Sequence, residues 1–239
     1  MGILELLSLG DKGWGDELLI GTLMTLALAV PAFGVGCVIG TVAATVKERG
    51  NPFGSALVTA YTSCVRGVPE LLVVYLFFFG GGQLMRLVLS AFGYAGEFEP
   101  SAFLAGLLSL SVICGAYATE IMRGAFKAID RRQIEAAQAF GWSRLSLFRR
   151  VLFPQLLRIA LPGLGNVWLL TLKDTALISI TGLVELMRAA GIATGSTRMP
   201  LYFYGAALIL YLLLSTGSNS VFGFLERRTR RGLRGLATP

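Results

Sequence analysis

The chain has 239 residues, of which 54% are hydrophobic and 15% charged, and its mean hydropathy is +0.69. Soluble domains carry about 25% charged residues, so this composition indicates an integral membrane protein with length for about five or six spans. The net charge of +7 does not indicate nucleic-acid binding, because the basic residues lie in loops between apolar runs rather than in a stripe. Histidine, CxxC spacing and a GxxxxGKS/T loop are all absent, which argues against metal, disulfide and nucleotide sites in this chain.

The first predicted span covers about residues 18–46 and follows a mixed-charge segment, 1–17, which we expect at the external interface. It contains the spacing Gly36-xxx-Gly40, which allows close helix contact. The second apolar region, 53–92, is longer than one span needs. It includes Arg66-Gly67-Val68-Pro69-Glu70, where glycine and proline predict a break. Charges at membrane depth are costly, so we expect Arg66 and Glu70 to line a cavity. Alternatively, Arg66 lies near the cytoplasmic surface and Glu70 pairs with it.

The third predicted span covers about 101–126 and carries Glu120 and Arg123 on one helix face. These two residues either contribute to a polar pathway or form an ion pair at the interface. The fourth span, about 159–183, has Lys173 and Asp174 in its middle. We expect these two residues either to line a polar pathway or to form a hydrogen-bond network between subunits. Residues 187–200 are predicted to be an exterior loop. The fifth span, about 201–225, completes a membrane domain over 18–225 and precedes a basic tail, 226–239.

A charged segment, 127–158, separates the third and fourth spans. Asp130 predicts a helix N-cap, with Gln133 completing a capping box. The helix would run through Glu135-Ala136-Ala137, and Gly141 is expected to end it in the left-handed conformation. A second short helix would follow and be interrupted at Pro154. The alternative is an ordinary surface helix with a solvated glutamate.

Basic residues are concentrated on one side of this five-span arrangement. That side contains the 47–52 loop, the 127–158 segment and the C-terminal tail, whereas the opposite side holds Lys12, Arg188 and Arg198. The asymmetry predicts that the Glu135 segment and the C-terminus are cytoplasmic and that the N-terminus is outside.

The segment Glu135-Ala136-Ala137, Gly141 and the later Val151-Leu152-Phe153-Pro154 resemble a known motif. They are similar to the EAA loop of the membrane subunits of bacterial binding-protein-dependent ABC importers, with Val151 and Phe153 in place of the family's isoleucine and leucine. The resemblance implies that Glu135, Ala136, Ala137 and Gly141 form a coupling helix, which docks into a groove on a cytoplasmic ATPase.

Further stretches resemble the polar-amino-acid permeases of that group, over about residues 18–225. Within it the chain looks most similar to the "Q" permeases for histidine, lysine, arginine and ornithine, and for octopine and nopaline. The stretches are Arg66-Gly67-Val68-Pro69-Glu70-Leu71-Leu72, Gly115-Ala116-Tyr117-Ala118-Thr119-Glu120, Arg123-Gly124-Ala125-Phe126, Leu161-Pro162-Gly163-Leu164-Gly165-Asn166 and Leu172-Lys173-Asp174-Thr175-Ala176-Leu177.

The resemblance implies an all-α type I importer transmembrane domain of about five spans in the bacterial inner membrane. Its implied partners are a cytoplasmic ATPase dimer, a second permease subunit that is homologous or identical, and a periplasmic substrate-binding protein. No cofactor is expected in this chain, since ATP and Mg would bind the ATPase, and the chain itself would catalyse no reaction.

A cationic amino acid would bring a positive group and a carboxylate into the membrane domain. Glu70, Asp174 and Glu120 are candidates to pair with the cation, and Lys173 or Arg66 with the carboxylate. An ion-coupled secondary transporter is the alternative function, with the same carboxylates binding or relaying ions. The absence of an internal repeat disfavours it, and the lack of histidine or any nucleophile–base pair disfavours a membrane enzyme.

Overall fold

The computed structural model describes residues 6–10, 13–91 and 101–230; Lys12, the tail beyond Arg230 and residues 1–5 of the N-terminal segment lie outside that part. Within it, every regular element is helical. The α-helices are α1 Gly15–Glu48, α2 Pro52–Gly67, α3 Glu70–Tyr75, α4 Gly81–Ala91, α5 Ala102–Ala128, α6 Arg131–Ala139, α7 Arg144–Leu147, α8 Phe153–Asp174, α9 Leu186–Thr197 and α10 Pro200–Arg230.

Four helical segments are long and apolar enough to cross a membrane, and a fifth arises if the bent pair around Pro69 counts as one span. The described structure therefore agrees with the predicted five-span, all-α architecture. The four candidates that are each one helical segment are Gly15–Glu48, Ala102–Ala128, Leu145–Thr181 and Pro200–Thr229.

Helices α1 and α5 form the most extensive contact in the bundle. Small residues make this possible, because a Cβ built at Gly40 would lie only 2.6 Å from the Cβ of Ala118. Gly36 likewise faces Cys114, and both glycines are buried. The close helix contact expected from the Gly36-xxx-Gly40 spacing is confirmed, because the absent side chains let the two backbones approach.

The break predicted in the second apolar region lies at Val68 and Pro69. Helix α2 ends at Gly67, Val68 is extended, and α3 begins at Glu70. The segments Pro52–Gly67 and Glu70–Gln83 meet at 109°. A proline disfavours helical geometry in the residue before it and donates no N–H, so the chain turns here. The turn brings Glu70 to a helix N-terminus within the membrane domain.

The helix that follows the charged segment is continuous through Pro154. A π-helical turn, Phe148–Leu152, joins α7 to α8, and Pro154 follows it as the second residue of α8. The predicted interruption is therefore a change of helix type rather than a gap. Helix α8 tightens into a 3₁₀ turn over Thr175–Thr181 and ends at Gly182, which has a φ of 91°.

The predicted exterior loop at 187–200 is wrong, because the chain forms helix α9 there. The helix has 12 residues, too few for a span, so the hydropathy pattern did not distinguish it from a loop. Its buried residues, Leu186, Ala189, Ala190 and Ala193, pack with Phe203 and other apolar side chains of the bundle.

Candidate coupling segment and transport pathway

Helix α6 begins with the cap that the sequence predicted. The Asp130 carboxylate accepts a hydrogen bond from the backbone N–H of Arg132 at 2.9 Å. The reciprocal half of the capping box is wrong, since the Gln133 side chain accepts a hydrogen bond from Nε2 of Gln155 at 2.7 Å. This bond joins α6 to the first turn of α8, which a capping box within α6 would not do.

Gly141 ends the helix in the left-handed conformation, as predicted, with a φ of 73°. The turn allows the N–H of Gly141 to reach the carbonyl of Gln138 at 2.9 Å, and that of Trp142 to reach Ala137 at 3.2 Å. These bonds satisfy carbonyl groups at the helix end that have no partner inside the helix.

The outer face of α6 is available for a partner. Glu135 and Ala136 are exposed, whereas Ala137 is buried against the rest of the chain. Beyond the helix, 84% of Phe140 is exposed, and in the described part of the protein no ion pair involves Glu135. A carboxylate and a large apolar side chain next to a rigid glycine turn form a surface suited to protein contact.

Glu70, Tyr117 and Arg66 meet at the break between α2 and α3. The Tyr117 hydroxyl donates to Oε1 of Glu70 at 3.0 Å, and the Arg66 guanidinium carbon lies 5.4 Å from the centre of the Tyr117 ring. Across the described residues, no ion pair joins Arg66 directly to Glu70. Glu70 and Arg66 therefore each contact Tyr117 instead of pairing with each other. Tyr117 was not singled out from the sequence.

Asp174 lies at the point where α8 tightens into the 3₁₀ turn Thr175–Thr181, and that turn packs against α3, which begins at Glu70. The structure therefore brings together two of the candidate carboxylates from distant parts of the sequence. Lys173 is exposed on another face of α8 and lines a groove with Tyr204 and Tyr211. Adjacent residues on a helix point about 100° apart, which explains the separation.

Glu120 belongs to an ion-pair cluster. Its carboxylate lies 2.7 Å from Arg123 and 3.5 Å from Lys47, which is in the last turn of α1. The ion pair between Glu120 and Arg123 that the sequence left open is present. The side chains in both contacts are partly exposed. The contact with Lys47 links α1 to α5, and neither contact involves Tyr117.

Glu185 is a buried polar residue that sequence reasoning missed. Its carboxylate accepts hydrogen bonds from the backbone N–H groups of Met187 at 3.0 Å and Arg188 at 2.8 Å, and from the Tyr211 hydroxyl at 3.2 Å. The Thr25 hydroxyl is 3.4 Å away, and in the part of the chain described here no cation pairs with Glu185. It therefore caps α9 and connects it to α1 and α10.

Burial raises the pKa of the Glu185 carboxyl, whereas the hydrogen bonds from the two backbone N–H groups oppose that rise. A glutamate before an apolar run is only a weak helix-start signal, because Ser, Thr, Asp and Asn are the preferred caps. Only the contacts with Thr25 and Tyr211, far away in sequence, distinguish this residue.

Comparison with known proteins decides the family. The family described as binding-protein-dependent transport system inner membrane component matches residues 36–231. The chain belongs to this family. It is therefore a multi-pass inner-membrane component of such a transport system, and the ion-coupled secondary transporter is not favoured.

Individual relatives align over nearly the whole chain. The nopaline transport system permease protein NocQ of Agrobacterium fabrum is 49% identical over 232 residues, which cover 97% of this chain and 98% of the relative. The histidine/lysine/arginine/ornithine permease HisQ of Escherichia coli is 40% identical over 222 residues, covering 93% and 97%.

Solved structures give the same fold. The crystal structure of an amino acid ABC transporter with histidines superposes with a TM-score of 0.75 at 28% identity, covering 90% of this chain and 95% of that one. An inward-facing MetNI methionine ABC transporter superposes with a TM-score of 0.69 over 89% and 96%, and at 18% identity it supports the fold alone.

Proposed function

We propose that the chain is the permease subunit of an ABC importer for a cationic amino acid or an opine, driven by a separate ATPase. The relatives are named as permeases for opines and basic amino acids. The observation that carries the proposal is that two acidic residues lie near Tyr117. Glu70 is hydrogen-bonded to this tyrosine, and Asp174 precedes the turn that packs against the helix beginning at Glu70, in a bundle with helices long enough to cross a membrane. Charged groups at such depth are retained mainly where they contact a substrate or an ion.

Arg66 and Tyr117 complete the proposed binding position. The aromatic ring attracts cations through its π face, which Arg66 occupies in the described structure. An incoming ammonium or guanidinium would displace it and pair with Glu70 and Asp174. The freed Arg66 would then be available for the substrate carboxylate. Lys173 lines a different groove and Glu120 is in an ion pair, so neither would contact the substrate at this position.

The coupling segment would transmit ATPase motion to this position through α8. The exposed face at Glu135 and Ala136 docks on the ATPase, which holds ATP and Mg, while this chain needs no cofactor. Gln133 is hydrogen-bonded to Gln155, and the helical segment from Leu145 to Thr181 is continuous and contains Asp174. A displacement of α6 would therefore move the end of α8, because a rigid helix carries a shift along its whole length.

The remaining partners follow from the same proposal. A second permease subunit, identical or homologous, would provide the other half of the pathway, and a periplasmic binding protein would deliver the substrate. The concentration of basic residues on the Glu135 side supports an orientation with that segment and the C-terminus in the cytoplasm and the N-terminus in the periplasm.

Co-purification tests the coupling proposal. The tagged chain is expressed with its chromosomal neighbours, and Glu135→Arg and Gly141→Trp are each compared with Glu48→Arg, a charge reversal at an exposed glutamate at the end of α1. We expect the ATPase polypeptide to be lost with the first two variants and retained with the control. Retention in all three, with normal uptake, would refute the assignment of the coupling face.

Substrate uptake tests the pathway proposal. Glu70→Gln and Asp174→Asn keep the side-chain shape and remove one charge each. Losing a buried charge partner costs about 2 kcal/mol or more, so KM for a basic amino acid or opine should rise roughly thirtyfold. Normal uptake by both variants, in membranes where Glu135→Arg abolishes it, would show that these carboxylates are structural.

A further inference from the structure

A groove of about 460 Å³ lies on the apolar surface of the bundle, where α10 faces α1 and α8. Trp168 and Phe33 form one wall, and Leu213, Gly217 and Val221 form the other. The α10 wall is open, since 63% of Leu213 and 58% of Val221 are exposed. The lining continues to Leu225, 12 residues along α10 from Leu213, a distance of about 18 Å along a helix.

Helices α8 and α10 run antiparallel, so the residues that lie beyond the Leu225 end of the groove can be identified on both helices. The Thr175 and Tyr211 hydroxyl oxygens are 3.5 Å apart, and a Cβ built at Gly165 would lie 3.2 Å from the Phe222 ring. Arg158 precedes Gly165 by about 10 Å on the same face of α8. Arg228 follows Phe222 by about 9 Å on α10, so the two arginines reach the same level.

This end of the groove is basic and lacks internal neutralisation. The Nε of Arg158 is buried without a hydrogen-bond partner, and Arg227 and Arg228 are exposed. Glu226 lies at the same level, which leaves an excess of positive charge. Among the described side chains, none of the three arginines forms an ion pair. Arg158 as a whole is only half-buried, so an anion could bind the accessible part of its guanidinium and offset the positive charge at this level.

We propose that the groove binds an anionic phospholipid of the cytoplasmic leaflet. One acyl chain lies along the wall from Leu213 to Leu225, and the headgroup phosphate contacts Arg158 and Arg228, whereas Arg227 lies over Gly223 outside the lining. The groove is about as long as one leaflet of a ~30 Å hydrocarbon core is thick. This inference rests on the proposed orientation, with the C-terminus in the cytoplasm, and a lipid there would contact the same helix that carries Asp174.

A transmembrane helix of the second permease subunit is the competing occupant. It would fill the apolar part of the groove, but it would need a carboxylate at the level of Arg158 to neutralise the basic end. A phospholipid provides the apolar chain and the negative charge in one molecule, at the spacing that the groove requires.

Photo-crosslinking in native membranes tests the proposal on the intact importer. A benzophenone amino acid replaces Val221 in the groove or, as a control, Val38, which is 64% exposed on α1. Mass spectrometry of the purified chain identifies the adducts as phosphatidylglycerol or cardiolipin, phosphatidylethanolamine, or a peptide. We expect the anionic-to-zwitterionic ratio at position 221 to be severalfold higher than at position 38.

Charge-neutral variants at the basic end provide the second measurement. One arginine near an anionic headgroup contributes about fivefold to binding, so Arg158→Gln or Arg228→Gln should lower the ratio at position 221 by about that factor. Lys127→Gln removes an exposed charge at the end of α5, on the same proposed side of the membrane, and should leave it unchanged. Equal ratios at positions 221 and 38, or a peptide adduct at 221, would overturn the lipid proposal. Co-purification of the ATPase is measured independently, so the proposed function and the lipid site fail separately.

Discussion

Glu185 offers the sharpest test of what holds this bundle together. Its carboxylate accepts hydrogen bonds from two backbone N–H groups of α9, from Tyr211 on α10 and from Thr25 on α1. Glu185→Ala would leave all of these donors without their acceptor. We therefore expect α9 to loosen from both neighbouring helices.

The magnitude follows from the individual contacts. Replacing a helix N-cap with alanine costs about 1 kcal/mol. Removing the acceptor from the buried Thr25 hydroxyl and from the partly buried Tyr211 hydroxyl, which keeps only a 3.5 Å contact with Thr175, costs about 1–3 kcal/mol each. Removing a buried charge recovers part of its desolvation cost, so a net loss of about 3 kcal/mol is expected. Tyr211→Phe removes one donor and leaves the α9 cap intact, so it should cost only about 1 kcal/mol.

Two measurements would check this expectation. The first is thermal unfolding of the detergent-purified chain, where 3 kcal/mol corresponds to a decrease of roughly 6–12 °C in a protein of this size. The second is the rate of trypsin cleavage at Arg198, which follows α9 and should become faster when α9 loosens. Glu48→Ala, at an exposed position, controls for the general loss of a carboxylate.

A double-mutant cycle separates the contact from its surroundings. If Glu185 and Tyr211 act through their hydrogen bond, the double variant should be less destabilised than the sum of the single variants by about 1 kcal/mol. A Glu185→Ala protein that unfolds within about 0.5 kcal/mol of the parent, with unchanged cleavage at Arg198, would refute the reasoning.

Three further predictions concern helix packing, the ion-pair cluster and the coupling turn. Gly40→Val should destabilise the bundle by about 1–3 kcal/mol in thermal unfolding, since its Cβ would collide with Ala118, whereas Gly34→Val, with open space around it, should have little effect. Glu120→Gln removes two partly exposed ion pairs, so unfolding should change by about 1 kcal/mol or less per pair and KM for uptake should stay near the parent value; a large rise in KM would instead place it in the pathway. Gly141→Ala should strain the left-handed turn by about 1–2 kcal/mol and reduce substrate-stimulated ATP hydrolysis, and unchanged stimulation would show that the turn tolerates a Cβ.

The patterns that the sequence predicted correctly are local. Composition and apolar runs indicated an all-α membrane protein of about five spans, because bilayer thickness sets the length of a span. The glycine and proline around Val68 predicted the break, and Gly141 predicted the end of α6, because both depend on backbone sterics within a few residues.

The features that the sequence did not reveal depend on residues far apart in the chain. Gln133 forms no capping box because Gln155 donates a hydrogen bond to its side chain. The sequence predicted a loop in place of α9 because the contacts that stabilise this helix, the Glu185 cap and the packing of its apolar face, involve distant residues. Short helices are marginal alone, so tertiary contacts decide whether they form.

The candidate site divides in the same way. The sequence by itself determined the family, the spans and the helix that ends at Gly141, since those reside in contiguous motifs and in hydropathy. Only the tertiary structure decided that Tyr117 bonds Glu70 and that the turn after Asp174 packs against the Glu70 helix, while Lys173 faces a different groove and Glu120 belongs to an ion pair. The physical reason is that the packing of helices fixes which faces meet, and one residue along a helix changes the direction of a side chain by about 100°.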